Sequence, residues 1–406
     1  MKYLIGAFLG VAVALVLPVG DAGLRAILSF LFELSIRIGR YALLPLMLFT
    51  IPVAVHELAE DKEFWRPLGR AILVLIAGVA AASLLGVLVA GIARPSRIPL
   101  VAEAAQTAAH APSFRELLLS IFPDSPVAAL AKGDFLLPAF FLATLLGLAL
   151  GHDRVATKPV ALLCDAFSRA FYQINSFMAE FLGVLVIAVT ARSVFELRAE
   201  SRAEIYRPLL TVVGIEVLFV ALIAMPAALW FFGGRKNPYR TLYGLFAPSL
   251  AALVSGNIYF SLGTLMKHAK ESLGLRRRSN ALILPLAAVF GRAGSALVSS
   301  TAFVVVLSSY SNLGVSPGSI LWIIAAAPLA TLLLGASPAG GTLAALTALC
   351  SLYGKGFENG FLIVAPVALP LVAAGAFLDT LWAGCAAIIL GRRAGHAKEK
   401  EIRYYI

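Results

Sequence analysis

The sequence predicts an all-α, polytopic membrane protein with eight transmembrane helices and two re-entrant hairpins, the broken segments recurring in two successive units. Three observations predict this. First, 60% of the 406 residues are hydrophobic and 14% charged, where an ordinary soluble domain is about 45–50% apolar and about 25% charged. Second, the apolar residues come in long runs without dyad alternation, which excludes a soluble enzyme, a disordered chain and an outer-membrane barrel. Third, in the C-terminal half several apolar stretches are too short to cross a bilayer and are divided by Gly-, Ser- and Pro-rich breaks.

Taken in order, six stretches approach the roughly 20 apolar residues needed for a span: residues 3–18, 38–55, 71–92, 135–150, 177–191 and 209–232. No convincing small-x-small cleavage site follows the first, and more spans come after it, so it reads as a span and not a removed leader. Residues 94–134 form the one long polar excursion and read as an extracytoplasmic loop of functional weight. Beyond Arg240 the character changes. Residues 242–254 are apolar, then come Ser255-Gly256-Asn257 and another short apolar piece ending near Met266. At 1.5 Å per residue such arms cannot cross the membrane. The event recurs with residues 320–334, a tip at 335–341, and residues 342–352. Each hairpin is followed by a longer apolar segment, 281–307 and 361–390, and the first of these is interrupted at Gly291-Arg292-Ala293-Gly294-Ser295. Unwound backbone at membrane depth is tolerated where it is buried or lines a polar cavity. Broken segments at corresponding places in two halves therefore predict a secondary transporter with its solute site at the breaks.

The net charge of +11 gathers beside the apolar runs, at Arg235-Lys236, Arg276-Arg277-Arg278, Arg392-Arg393 and the tail residues Lys398, Lys400 and Arg403. This is the positive-inside pattern. It predicts an inner (plasma) membrane protein with both termini cytoplasmic and residues 392–406 as a basic cytoplasmic tail. With no separate soluble domain to carry a basic patch, nucleic acid is not a predicted partner. Cys164, Cys350 and Cys385 sit in or beside apolar stretches at unrelated spacings and read as small core residues. No nucleophile–base or metal constellation stands out, so neither an enzyme, a metal site nor a cofactor is predicted.

Three local patterns resemble the dicarboxylate/amino acid:cation symporters, the family that includes the glutamate transporters. One is Ile121-Phe122-Pro123-Asp124-Ser125-Pro126 running through Ala131-Lys132-Gly133-Asp134 into Leu145-Leu146-Gly147-Leu148. The others are Leu44-Pro45-Leu46-Met47-Leu48-Phe49 with Leu68-Gly69-Arg70, and Ala269-Lys270-Glu271 with Leu284-Pro285-Leu286-Ala287-Ala288. The resemblance implies a glutamate-transporter-like elevator fold with inverted repeats, and a homotrimer. It implies scaffold helices in residues 1–70 and 135–207, and a transport domain from helix 71–93 and residues 208–391. It also implies that the second hairpin, around Pro338 and Gly340, serves as an extracellular-side gate.

The same resemblance places the site, and this sequence departs from the family there. The serine-rich tip falls on Ser255, Gly256 and Asn257. The family's Asn-Met-Asp-Gly-Thr stretch falls on 291–295, so Arg292 stands at its methionine and Ala293 at its aspartate, with Ser295 closing the stretch. The family's substrate-holding aspartate and arginine fall on Val372 and Gly375, its asparagine on Asp379, and a sodium-liganding aspartate on Ala383. Na⁺ wants oxygen ligands with negative charge nearby, and this site has lost carboxylates and gained a permanent guanidinium. Sodium coupling is disfavoured, and protons remain possible coupling ions through Glu216 or Asp379. Arg292 is the principal candidate, because charge at membrane depth is costly and is usually paired or faces a polar cavity. Two readings stand together: a structural pair with Asp379, or contact with an anionic substrate. Glu180 reads as part of a polar cluster with Gln173, Asn175 and Ser176, and His56 and His268 as interfacial. The expectation is a secondary active transporter of a small anionic solute, a dicarboxylate or amino acid, in a lipid bilayer. An uncoupled carrier or anion-conducting channel on the same fold is the alternative.

Overall fold

The computed structural model describes residues 2–18, 21–60, 65–99, 119, 125, 130, 136–152, 154–199, 203–310, 316–332, 334, 341–398, 400, 401 and 405. These residues are helical nearly throughout, and no strand occurs among them. An isolated bridge joins Leu275 to Ala397. The helices are α1 (Lys2–Val16), α2 (Ala22–Arg40), α3 (Leu43–Glu60), α4 (Trp65–Ala93), α5 (Leu136–His152) and α6 (Arg154–Ala199). After them come α7 (Arg207–Phe219), a π-helical turn (Val220–Ala224), α8 (Met225–Phe232), α9 (Pro238–Ser255) and α10 (Ile258–Glu271). The chain continues through α11 (Arg277–Phe290), α12 (Ala293–Tyr310), α13 (Pro317–Leu332), α14 (Gly341–Tyr353), a 3₁₀ helix (Gly360–Val367) and α15 (Ala368–Arg393). Six helical stretches are long and apolar enough to cross a membrane, and α1, α5, α13 and α14 are shorter apolar helices.

Two elements differ from the apolar runs. α2 begins at residue 22, well before the run at 38, because Arg25, Glu33 and Arg37 interrupt its apolar positions. Asp21 accepts from the Gly23 and Leu24 amides at 2.7 and 3.2 Å, and Arg37 and Arg40 lie in the last turn. Both features favour the dipole. α6 has 46 residues, or about 69 Å at 1.5 Å per residue, more than the full thickness of a bilayer with its headgroups. The run at 177–191 marks only part of it.

α12 lies at the centre, with residues 293–307 all buried, and it packs against α4, α13, α14 and α15. A helix that is buried all round needs apolar residues on every face. On another side, α1, α2 and α3 pack along α6. A Cβ at Gly6 would sit 2.4 Å from the Gly183 carbonyl, and one at Gly10 2.5 Å from that of Ile187. The two glycines let the α1 and α6 backbones touch.

α10 and α11 meet that second group through polar links. Asn175 donates to the Gly263 carbonyl at 2.9 Å, Tyr172 to Glu271 at 2.9 Å, and Arg278 to Glu57 at 2.9 Å. Arg277 pairs with Asp165. Lys267, 4% exposed, donates to Glu180 at 2.9 Å and to the Ser176 carbonyl at 3.1 Å. Glu180, expected in a polar cluster with Gln173, Asn175 and Ser176, pairs instead with this buried lysine of α10, while Asn175 bonds Gly263. His268, expected at an interface, is buried and stands edge-on to Tyr3. All three cysteines are free and buried. Of the motif at 121–134, only Ser125 and Leu130 fall among the described residues. The second hairpin's tip at 335–340 lies outside them, with Pro338 and Gly340.

Candidate functional site

Three helix breaks build the site. α9 ends where Gly256 takes a left-handed conformation (φ +63°), which a side chain rarely adopts. The Ser255 hydroxyl donates to the Ala251 carbonyl at 2.7 Å and accepts from the Asn257 amide at 3.2 Å. The Asn257 side chain accepts from the Tyr259 amide at 2.9 Å, capping α10. Ser255 and Asn257 therefore shape this tip. The second break is Gly291-Arg292, between α11 and α12. The third is Gly341, which opens α14 at φ +44°.

The breaks converge on the middle of α15. A Cβ on Gly256 would lie 3.1 Å from Val372 Cγ1, and one on Gly341 3.6 Å from the same atom and 4.0 Å from Ser295 Oγ. Gly375 leaves the space that Thr342 and Ser295 fill, since its Cβ would sit 1.9 Å from Thr342 Oγ1 and 3.4 Å from Ser295 Cα. Gly256 and Ser295 thus meet the stretch of α15 that carries Val372, Gly375 and Asp379.

The expected pair of Arg292 with Asp379 is not formed. Both are 1% exposed, yet no ion pair joins them among the described residues. Asp379 is held elsewhere. One carboxylate oxygen accepts from the Ser295 amide at 2.9 Å and the other from the Ser295 hydroxyl at 2.6 Å, at the N-terminus of α12, where the helix dipole favours an anion. Arg292 turns back over α11, its Nε donating to the Ala288 carbonyl at 3.2 Å and its guanidinium 5.6 Å from the Tyr259 ring centroid. Its Nη2 is buried without a hydrogen-bond partner among the described residues, and so is the Thr342 hydroxyl. Buried polar groups are nearly always satisfied, so each of these two atoms is a point at which a ligand can supply the bond. A guanidinium and the N-termini of α10 and α14 outweigh one carboxylate, an arrangement that favours an anion.

Sequence reasoning missed Thr342 and Tyr259. Thr342 directly follows the break at Gly341 and Tyr259 stands two residues after the cap Asn257, the one signal that points to them. Ala293 and Ala383 are buried, 4% and 0% exposed.

Glu216 lies apart from this cluster, 1% exposed on α7. The Thr301 hydroxyl stands 2.8 and 3.0 Å from its two oxygens, 3.1 Å from the Leu297 carbonyl and 3.2 Å from that of Gly86. One hydroxyl proton serves at most one or two of these four acceptors. If the carboxyl holds a proton, it donates to Thr301, and Thr301 passes its own hydrogen to a carbonyl. The site can therefore carry one proton with every partner satisfied. No basic side chain pairs with Glu216 among the described residues.

Comparison with known proteins places this geometry in a context. A family described as the sodium:dicarboxylate symporter family matches residues 1–392. The chain is 26% identical over 362 residues to a serine/threonine transporter of Enterococcus faecalis, covering 87% of this chain and 81% of that protein. It is 26% identical over 393 residues to a serine/threonine transporter of Streptococcus agalactiae, covering 95% and 90%. It is 25% identical over 232 residues to a C4-dicarboxylate transport protein of Ralstonia nicotianae, covering 55% and 52%.

Proposed function

We propose, because the chain belongs to the sodium:dicarboxylate symporter family, that the converging breaks form the solute site of a secondary active transporter for a small anionic solute, a dicarboxylate or an amino acid. Membership makes the protein a multi-pass membrane transporter and not an enzyme. The observation that carries the proposal is the buried Nη2 of Arg292 without a partner. A carboxylate supplies the missing acceptor, Thr342 and Ser295 add hydroxyls, and Ser255, Gly256 and Asn257 close one side. The resemblance assigns a gate on the other side to the second hairpin's Pro338 and Gly340, which lie outside the described residues. Movement is of elevator type, with residues 1–70 and 135–207 as a trimeric scaffold and residues 71–93 and 208–391 carrying the solute. Both termini face the cytoplasm of the plasma membrane.

Sodium contributes little to affinity, because Ala293 and Ala383 offer no carboxylate. Thermal-shift titration of the purified protein with dicarboxylates and amino acids, with and without Na⁺, tests both statements. Dicarboxylates or amino acids should stabilise it, and their neutral amides should not. Raising Na⁺ should tighten binding by less than about fivefold, below the 5–150-fold range of ordinary coupling. A hundredfold effect overturns the sodium statement, and failure of every carboxylate to bind overturns the solute assignment. The same missing carboxylates favour a second reading, an uncoupled carrier or anion-conducting channel. Solute flux that is unchanged when ion gradients are collapsed would select it.

Proton coupling falls to Glu216, with Asp379 a lesser candidate because its oxygens are already engaged by Ser295. Glu216→Gln keeps the Thr301 contact in a form that cannot titrate. Uptake in liposomes driven by an inward proton gradient should fall about tenfold or more, the scale of a lost proton-transfer group, while solute exchange at equal pH on both sides persists. Uptake that still responds fully to the gradient excludes the role.

Movement of α9–α11 past α6 must break the Lys267 contacts. Lys267→Met removes the bonds of a buried ammonium to the Ser176 carbonyl and to the exposed Glu180 carboxylate. It should lower the melting temperature and, by destabilising the starting state, raise exchange rates several-fold. Unchanged exchange with an unchanged melting temperature would mean that this contact does not oppose the motion.

A further inference from the structure

A second cavity, of about 510 Å³, lies between α4, the π-helical turn with α8, the start of α12, and α15. Its volume suits a small molecule, but its shape is that of a chain. It touches α15 at Leu378, Trp382, Ile389 and Arg393, a span of about 22 Å at 1.5 Å per residue. Along α4 it runs from Leu73 to Leu85, about 18 Å by the same rise. The wall is apolar throughout except for Trp382 and, at one end, Arg393. Leu73 and Phe232 at that end are 68% and 56% exposed, so the cavity opens where the cation stands.

An apolar cavity does not hold water, and a lining without neighbours forfeits dispersion contacts. In a bilayer the available filler is an acyl chain. The open end adds charge specificity. Arg393 Nε donates to the Phe232 carbonyl at 3.1 Å, and its guanidinium lies 5.6 Å from the Phe232 ring centroid. Its Nη groups hold no bond among the described residues. We propose that this cavity holds one acyl chain of an anionic phospholipid, with the headgroup phosphate bound by Arg393. On the proposed topology this end faces the cytoplasmic leaflet, where anionic lipids collect and a basic residue near the surface contributes to their binding. The cavity borders Ala293 and Gly294 at the break beside Arg292, so the lipid supports the wall of the solute site without touching the solute. The inference does not depend on what that solute is.

Trp382 reports on occupancy. The other tryptophans, Trp65, Trp230 and Trp322, are replaced by Phe in the full-length protein. The product is reconstituted into phosphatidylcholine vesicles containing a minor fraction of phosphatidylglycerol brominated in mid-chain. A matched preparation carries the same fraction of brominated phosphatidylcholine. Trp382 emission should be quenched by brominated phosphatidylglycerol at about one-fifth the fraction needed for brominated phosphatidylcholine, the preference one surface cation confers. Arg393→Gln, at an exposed side chain, should abolish that preference. Ala228→Phe, which fills the cavity, should weaken quenching by both lipids. Equal quenching by the two lipids overturns the proposal, as does a preference that survives Arg393→Gln. A folded Ala228→Phe protein quenched as strongly as before places the chain outside the cavity and overturns it too. If Ala228→Phe does not fold, Arg393→Gln decides alone.

Discussion

Arg292→Met is expected to stabilise the solute-free protein while abolishing its response to anionic solutes. The two effects share one cause. In the structure Arg292 is 1% exposed with Nη2 unpartnered, and a buried polar group without a partner costs about 1–3 kcal/mol, more when charged. Methionine fills similar volume with no charge to desolvate, and its flexible thioether adapts to the space. Against this stands the loss of the Tyr259 contact, about 0.5–2 kcal/mol for a cation over an aromatic face. The balance favours a melting temperature unchanged or raised by a few degrees. Solute binding should weaken at least about a hundredfold, the scale of removing one partner from a buried charge pair. Arg292→Lys should fall between, because an ammonium keeps the charge but not the planar fork that grips a carboxylate. Thermal denaturation and isothermal titration with the best solute read both effects. A melting temperature lowered by several degrees with binding intact would make Arg292 an architectural residue and defeat the solute site as described.

Much of the fold is legible because bilayer burial is a composition rule. Long apolar runs marked most crossings, and Ser-Gly-Asn or Gly-Arg interruptions marked the breaks at Gly256 and Gly291. What stayed hidden was set by other physics. α2 escaped because Arg25, Glu33 and Arg37 break its apolar run, and α6 because helix length is independent of how much of it meets lipid. The convergence of Gly256, Ser295 and Gly341 on Val372 and Gly375 joins residues 31 to 116 positions apart, which no local pattern carries. The resemblance assigned Arg292 and Asp379 to one region, but it could not say what each touches. Two buried opposite charges invite pairing, yet a carboxylate has a competing partner at a helix N-terminus, and here Ser295 holds it. Thr342 went unnoticed because a lone threonine after a glycine is ordinary until the space left by Gly375 gives it a neighbour.

The competition for Asp379 supplies the other large effect. Asp379→Ala should destabilise the protein by about 2–5 kcal/mol, since it strips the acceptor from both the Ser295 amide and hydroxyl, each costing about 1–3 kcal/mol when left buried and unsatisfied. Asp379→Asn should cost less. Its carbonyl still accepts from the Ser295 amide and its NH₂ can donate to the hydroxyl oxygen, so the loss is confined to the charge-assisted part of the bonds. Double-mutant cycles then separate the two candidate partners. With Ser295→Ala, Asp379→Ala should show a coupling energy of about 1–3 kcal/mol, because the two side chains touch. With Arg292→Met, the coupling should be smaller, since the charges act on each other through space without a shared hydrogen bond. The physical reason is range. The Ser295 contacts at 2.6 and 2.9 Å depend on direction as well as distance, whereas a guanidinium engaged with Ala288 supplies only a field. Guanidinium denaturation in detergent gives each term. If the Arg292 cycle returned the larger coupling, the two charges would be a buried ion pair in the folded protein, and the vacancy at Nη2 would be filled from within instead of by solute.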